Sequence, residues 1–393
     1  MTGELMMQKK LIFVALAAVF ALPTLAMADN ANVTVYGIAN LSLDITNNGN
    51  TATTQGTGTN KVSSNASRIG FKGTEDMGDG LNAIWQVESR VDMDNAGGSF
   101  GTRNTFVGLK NDTWGQVILG RNDTPYKLAT RKLDVFSDSM GDNRALLGGV
   151  VKGKNSALQF DGRPNDVVMY SSPSWGGVMV HAAYIAGAEA AASSASIKGK
   201  TLSLAGIYDN GPLFASLAYQ TNDVGSTATG NNSGTNITGT AGVKEKAVKV
   251  GAGYKLDAFE AGLAYEKTSD DFNTAGSVFT CTSGSTDSNC YGHKAMSLSG
   301  KFKMDSGAIK LAYSKAGDLG NKESSGANQW ALGYDHNLSK RTTLYAIYTK
   351  LTNDSNASYG LAAGDAGTNT GFVNAKGAGA YPKAISLGMK HSF

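Results

Sequence analysis

The chain has 393 residues, with 35 basic and 32 acidic side chains and a net charge of +3, a balance that gives no argument for nucleic acid or an acidic polymer as partner. Its mean hydropathy is −0.20, and no segment after the first residues approaches the ~20 apolar residues of a spanning helix, which excludes a helical membrane protein. A lipid-embedded barrel is not excluded, because its strands alternate apolar and polar residues and the average hides the membrane-facing surface.

In chain order, Lys9 and Lys10 precede an apolar run from Leu11 to Leu22, and Ala26-Met27-Ala28 supplies small residues for cleavage. This is the pattern of a secretory signal peptide, with Met6 or Met7 as a candidate initiator. The expected division is therefore a cleaved leader over residues 1–28 and one barrel domain over 29–393. Removing 28 of the 393 residues leaves 365, with 33 basic and 31 acidic side chains.

Beyond the leader, fifty glycines and a recurring period of two predict an all-β chain. From Leu81 to Asp92, Leu81, Ala83, Trp85, Val87 and Val91 form one face, while Asn82, Gln86, Glu88, Arg90 and Asp92 form the other. The same split recurs where Phe259, Ala261, Leu263 and Tyr265 oppose Glu260 and Glu266, and where Met296, Leu298, Phe302 and Met304 oppose Ser297, Ser299, Lys301 and Lys303. About sixteen such segments are expected, within the even-numbered range of bacterial barrels. Short links such as Met77–Gly80, Asn210–Pro212 and Asp305–Gly307 alternate with long polar ones, Thr46–Asn65, Asn122–Asn165, Asn222–Val243 and Thr352–Pro382. That alternation predicts a transmembrane antiparallel up-and-down barrel with periplasmic turns and external loops.

Two aromatic sets fit the same plan. Tyr184, Tyr219, Tyr265, Tyr313 and Tyr348 fall where ascending strands leave the membrane, and Tyr208, Tyr254, Phe302, Tyr334 and Phe393 where descending strands reach the periplasm. Amphipathic rings prefer both interfaces. A lysine or arginine facing lipid at the midplane costs roughly 2–4 kcal/mol, so Glu88, Arg90 and Lys301 must line the interior. About sixteen strands enclose an aqueous channel.

The only cysteines, Cys281 and Cys290, follow an export signal within a Ser/Thr/Gly/Asn-rich stretch and are read as one loop-pinning disulfide. Zinc needs about four ligands, and His293 is the one histidine nearby, with His181, His336 and His391 scattered. No metal and no cofactor is expected. No Gly-x-Ser-x-Gly, His-Glu-x-x-His or phosphate-binding loop suggests an enzyme.

Several stretches resemble the Gram-negative general porins, particularly the betaproteobacterial and neisserial branch, and the likeness runs over essentially the whole chain after the leader. Val35-Tyr36-Gly37 resembles the family's first strand. Ser67-Arg68-Ile69-Gly70-Phe71-Lys72-Gly73-Thr74-Glu75-Asp76, with Gly80-Leu81 and Trp85-Gln86-Val87-Glu88, resembles its second hairpin. Phe106-Val107-Gly108-Leu109 and Leu119-Gly120-Arg121 fit its next strands, and Leu387-Gly388-Met389-Lys390-His391-Ser392-Phe393 its last. Two positions depart: Asn40 stands where the family usually carries an acid, and Asp166-Val167-Val168-Met169 replaces the usual Asn-Ser before Tyr170.

The resemblance implies a homotrimer in outer-membrane lipid, a terminal Phe393 recognised by the barrel-assembly machinery, and a third loop folded into the barrel. The stretch Asn122–Asn165 is long enough to suit that loop, and Asp134, Asp138 and Asp142 recur every four residues, which predicts one side of a short helical turn. Residues 122–162 carry six basic and five acidic side chains. Strand parity makes Arg68, Lys72 and Arg90 lumen-facing, and the resemblance adds Arg103 and Arg163. Parity places Arg103 in phase with Val107 and Leu109, so it reaches the lumen only through a bulge or above the membrane zone. The reading is a water-filled, weakly anion-selective channel for small hydrophilic solutes and ions. A substrate-specific channel is the runner-up, and a structural or adhesin barrel comes third.

Overall fold

The computed structural model describes residues 33–95, 100–148, 160–186, 199–223, 244–271, 289–361 and 373–393. The leader expected over residues 1–28 and the cysteine Cys281 lie outside these. Cys290 is buried and disulfide-bonded.

The strands are β1 (Thr34–Asn47), β2 (Gly58–Ser64), β3 (Arg68–Asp76), β4 (Leu81–Arg90), β5 (Thr105–Asn111), β6 (Gly115–Arg121), β7 (Val167–Ser171) and β8 (Val178–Ala186). They continue as β9 (Lys200–Asn210), β10 (Leu213–Asp223), β11 (Lys244–Leu256), β12 (Phe259–Asp270), β13 (Lys294–Met304) and β14 (Gly307–Ala316). The last are β15 (Ala327–Asn337), β16 (Thr342–Asn353) and β17 (Lys383–Ser392). Each pairs antiparallel with its chain neighbour from β3 onward, and β17 returns to β1 with Leu43 opposite Leu387. The sheet therefore closes and has no free edge, which is what a barrel in lipid requires.

β2 and β3 are two halves of one barrel strand: β2 pairs with the upper part of β1 (Leu43 opposite Val62) and β3 with the lower part (Ile38 opposite Arg68). The break between them holds Ala66 at φ 54°. Counted so, the barrel has sixteen strands. The stretch Thr46–Asn65, expected as a loop throughout, is thus partly strand; its Thr, Asn and Gly content concealed the pairing of Gly58–Ser64.

Outward and inward faces follow the period of two. Leu43, Ile45, Val107, Leu217, Leu263, Leu332 and Leu387 are exposed on the outside, whereas Ser42, Asp44, Gln220, Lys249, Glu266 and Thr349 are buried inside. The outer aromatics Tyr184, Tyr219, Tyr265 and Tyr348 are exposed near the long-loop end, and Tyr254, Phe302, Tyr334 and Phe393 near the short-link end. Phe393 closes the seam: its N–H donates to the Gly37 carbonyl and its carbonyl accepts from Gly37. A Cβ at Gly37 would lie 2.3 Å from the Phe393 ring, so only glycine admits that contact.

The inner wall is not polar throughout. Ala264, Ala295, Ala316, Ala327 and Ala384 are small, buried and packed with Met140, Leu146 and Leu147 of the third loop and Tyr359, Leu361 and Val373 of the last. Small wall residues leave room for chain folded into the barrel, and the contacts are apolar because the loop excludes water there.

Candidate functional site

The third connection, between β6 and β7, turns into the lumen. Its helix α1 (Pro125–Arg131) starts at Thr124, whose side chain accepts from the Lys127 N–H at 3.2 Å, with proline in the first turn; both are helix-start signals. Residues 132–142 are turns, followed by a 3-10 turn at Asn143–Ala145. The expected helical stacking of Asp134, Asp138 and Asp142 is therefore absent. The three carboxylates are instead gathered around the Arg131 guanidinium, at 3.3, 3.1 and 2.8 Å.

Wall residues fix the loop along its path. Ser216 donates to the Ala129 carbonyl at 2.6 Å, Ser299 to that of Leu133 at 2.5 Å, and Gln329 to that of Met140 at 3.3 Å. Tyr126 donates to Glu266 at 3.1 Å, and the Gly148 N–H donates to the same carboxylate at 2.7 Å. Fully buried Lys249 pairs with Glu266 at 3.3 Å and also with Asp161, and its ammonium lies 4.2 Å from the Tyr126 ring centroid. The wall recedes where the loop presses: a Cβ at Gly333 would come within 2.7 Å of Phe136.

At the free side of the loop, Asp138 pairs with Arg68 of β3 at 3.2 Å. Asp142 is also bound by Arg144 at 2.9 Å, and Asp134 accepts the N–H groups of Phe136 and Asn143. Asp134 and Asp142 are buried and neutralised within the loop, so the expected row of carboxylates facing a basic wall is reduced to Asp138.

The wall cations are placed differently from one another. Arg103 precedes β5, and its N–H bonds the Glu88 carbonyl at 2.9 Å where the ladder, with Val87 opposite Thr105, would have placed Asn104. This one-residue offset is a bulge, one of the two routes to the lumen that parity left open, and Arg103 turns inward onto the Glu88 carboxylate. Arg163 binds Asp123 at 2.9 Å and the Asn104 side chain at 2.6 Å. The positive charges of Arg163 and Arg68 both act on Arg103, whose pKa burial and those neighbours lower to about 10. Lys72 and Arg90 share the inner face but turn elsewhere: Lys72 lies 5.5 Å from the Tyr36 ring centroid and Arg90 pairs with Asp92.

Burial and the Asp142 charge push the Asp134 carboxyl up to about 7. Burial opposes ionisation of Asp138 as well, but Arg131, Arg144 and Arg68 hold it down to about 2. Burial, reinforced by Arg163 and Arg144, lowers Lys127 to about 7 despite its 2.8 Å pair with Asp123. Lys127, Arg131, Arg144 and Asp123 are the site residues that sequence reasoning did not single out, and Glu88 was read only as lumen-facing; each was visible as a charge, but its partner is distant in sequence or lies across a turn of unreadable geometry.

A family model for the Gram-negative porins matches residues 15–357. The chain is 30% identical to outer membrane porin protein 32 of Delftia acidovorans over 98% of this chain and 100% of that one. The chain belongs to the Gram-negative porin family.

This porin is also 28% identical to an outer membrane porin protein of Bordetella pertussis, covering 72% of this chain and 76% of that one. Among solved structures, the anion-selective porin from Comamonas acidovorans superposes with a TM-score of 0.72 at 26% identity, covering 93% of this chain and all of that one. As an outer-membrane porin, it is a passive channel for small hydrophilic solutes.

Proposed function

We propose that the porin narrows where Arg68 and Arg103 of the wall, with Arg163 from the returning end of the third loop, line the passage, and that this constriction passes anions modestly better than cations. The supporting observation is the charge census around it. Arg68, Arg103, Arg163, Lys127, Arg131 and Arg144 stand against Glu88, Asp123, Asp134, Asp138 and Asp142, six cations to five carboxylates. In a low-dielectric passage such an excess is focused rather than dispersed. Likeness to the anion-selective porin from Comamonas acidovorans agrees in sign. Polar solutes cross because water and fixed charges replace their hydration, and apolar ones are disfavoured. No catalytic step is part of this reading.

The same proposal takes residues 1–28 as a leader removed on export, Phe393 as the signal read by the assembly machinery, and the functional unit as a homotrimer in outer-membrane lipid. A neighbouring barrel suits the outer face of β1, β2 and β17, where Leu43, Ile45, Val62, Ile385 and Leu387 form a continuous apolar surface.

Reversal potentials across a salt gradient test the constriction. The wild type should prefer anions, and Arg68→Ala and Arg163→Ala should each move the potential toward the cation side. The preference should shrink in concentrated salt, because the screening length falls from about 10 Å at 0.1 M to about 3 Å at 1 M. Cation preference in the wild type, or no change in either variant, contradicts the assignment.

A further inference from the structure

The outer face of β12 to β14 carries three lysines at its long-loop end. Lys267 of β12 and Lys294 of β13 are direct cross-strand partners, and Lys315 of β14 faces Met296, two residues along β13 from Lys294. All three are exposed and share the outward phase of Leu263, Leu298 and Leu311. Like charges in direct opposition destabilise a sheet, and no acid in the register relieves these. Lys267 has Val248 on its other side and Lys315 has Asn328. The next lysines along the rim differ, since Asp223 stands between Lys200 and Lys244 at 3.7 and 3.9 Å. At the short-link end the same outer face presents Phe259, Phe302 and Ile309 and no basic strand residue.

The level of these lysines selects their partner. Lys267 and Lys315 each follow a girdle tyrosine, Tyr265 or Tyr313, by two residues, which on a tilted strand rising about 3.4 Å per residue sets them roughly 5 Å farther out than the rings. Rings mark the membrane interface, so the ammonium groups meet lipid headgroups. Toward the midplane Leu263 and Leu298 are again direct partners and exposed, a surface for acyl chains. Ammonium groups whose Cβ atoms are about 5 Å apart can close on one phosphate, each donating to a different oxygen. A phosphate monoester offers about 1.5–2 negative charges, whereas the diester of a zwitterionic lipid offers one and brings its own cation. We propose that Lys267, Lys294 and Lys315 bind the headgroup of a lipid carrying phosphate monoesters, of the lipid A type, in the external leaflet. The site shares no residue with the arginine constriction or with the β1, β2 and β17 face.

Native mass spectrometry of the purified porin in detergent, titrated with diphosphoryl lipid A or with phosphatidylcholine, tests it. The wild type should retain lipid A in preference to phosphatidylcholine. In the double variant Lys267→Gln/Lys294→Gln the dissociation constant for lipid A should rise about tenfold, a size typical of losing two partly screened ion contacts. Lys267→Arg/Lys294→Arg should keep the affinity, and so should Lys200→Gln/Lys244→Gln, which removes the same charge from the same rim. Unheated gel migration checks that each variant forms its barrel. Inorganic phosphate at the lipid's concentration should not displace it; displacement would assign the lysines to free phosphate and overturn the proposal. Equal retention of the two lipids by the wild type, unchanged affinity in the Lys267→Gln/Lys294→Gln variant, or an equal loss in Lys200→Gln/Lys244→Gln overturns it as well. The proposal uses the outer-membrane location and not the constriction's selectivity: cation preference with intact, lysine-dependent lipid binding would sink the latter and leave this one standing.

Discussion

Asn40 illustrates how little freedom a lumen residue has. Its Nδ2 donates to the Asn65 carbonyl at 3.0 Å and to the Asp138 carbonyl at 3.5 Å, while its Oδ1 accepts from Tyr345 at 2.8 Å. A carboxylate at the same place would set an acceptor against two carbonyls, so the departure from the family's usual acid is explained by the company it keeps. Charge in the constriction also depends on pH. Asp134 titrates from a raised value of about 7 and Lys127 from a lowered value of about 7. Raising the pH through 7 takes Asp134 from neutral to negative and Lys127 from positive to neutral, and both changes remove positive charge. The anion preference should therefore decline between pH 6 and pH 8 in zero-current potentials at low salt. A preference that is flat or rises over that interval contradicts the placement of these two groups. The inward role of Arg68, Lys72 and Arg90 was legible from strand parity. That of Arg103 was not, because a bulge is set by local backbone contacts that the alternation of residues does not encode.

The third loop is held as an element by its far-side clamp. Lys249 and Glu266 are both fully buried, and a buried pair broken on one side costs about 3–5 kcal/mol because the other charge is left uncompensated. Lys249→Met should lower the temperature at which the unheated barrel band is lost and should make the open-channel current noisier, since Asp161 and Glu266 would then repel. An unchanged melting temperature together with a quiet current would show that the hydrogen bonds from Ser216, Ser299 and Gln329 suffice. The loop's existence was readable from its length, but not its internal order. The spacing of Asp134, Asp138 and Asp142 suggested a helix; the helix ends at Arg131, and the guanidinium of that residue organises the turns after it. Such a convergence depends on turn geometry for which no periodic signal exists.

For the whole molecule, alternation, link lengths and aromatic placement made the barrel legible because lipid imposes one rule on every strand. The strand break at Asn65–Ser67 was hidden because β2 carries a single large apolar residue, Val62, and so shows no alternation of its own. What the sequence could only suggest is whether chain folded into the lumen leaves a passage. Alanines on β12 to β15 and β17 accommodate the inward loops on one side, while half-buried Arg68 and exposed Lys72 stand on the other. Single-channel conductance of the purified protein in planar bilayers tests this most directly. The account predicts stable open-channel steps whose size grows with potassium chloride concentration; a protein that inserts as a folded barrel yet conducts no ions would contradict it.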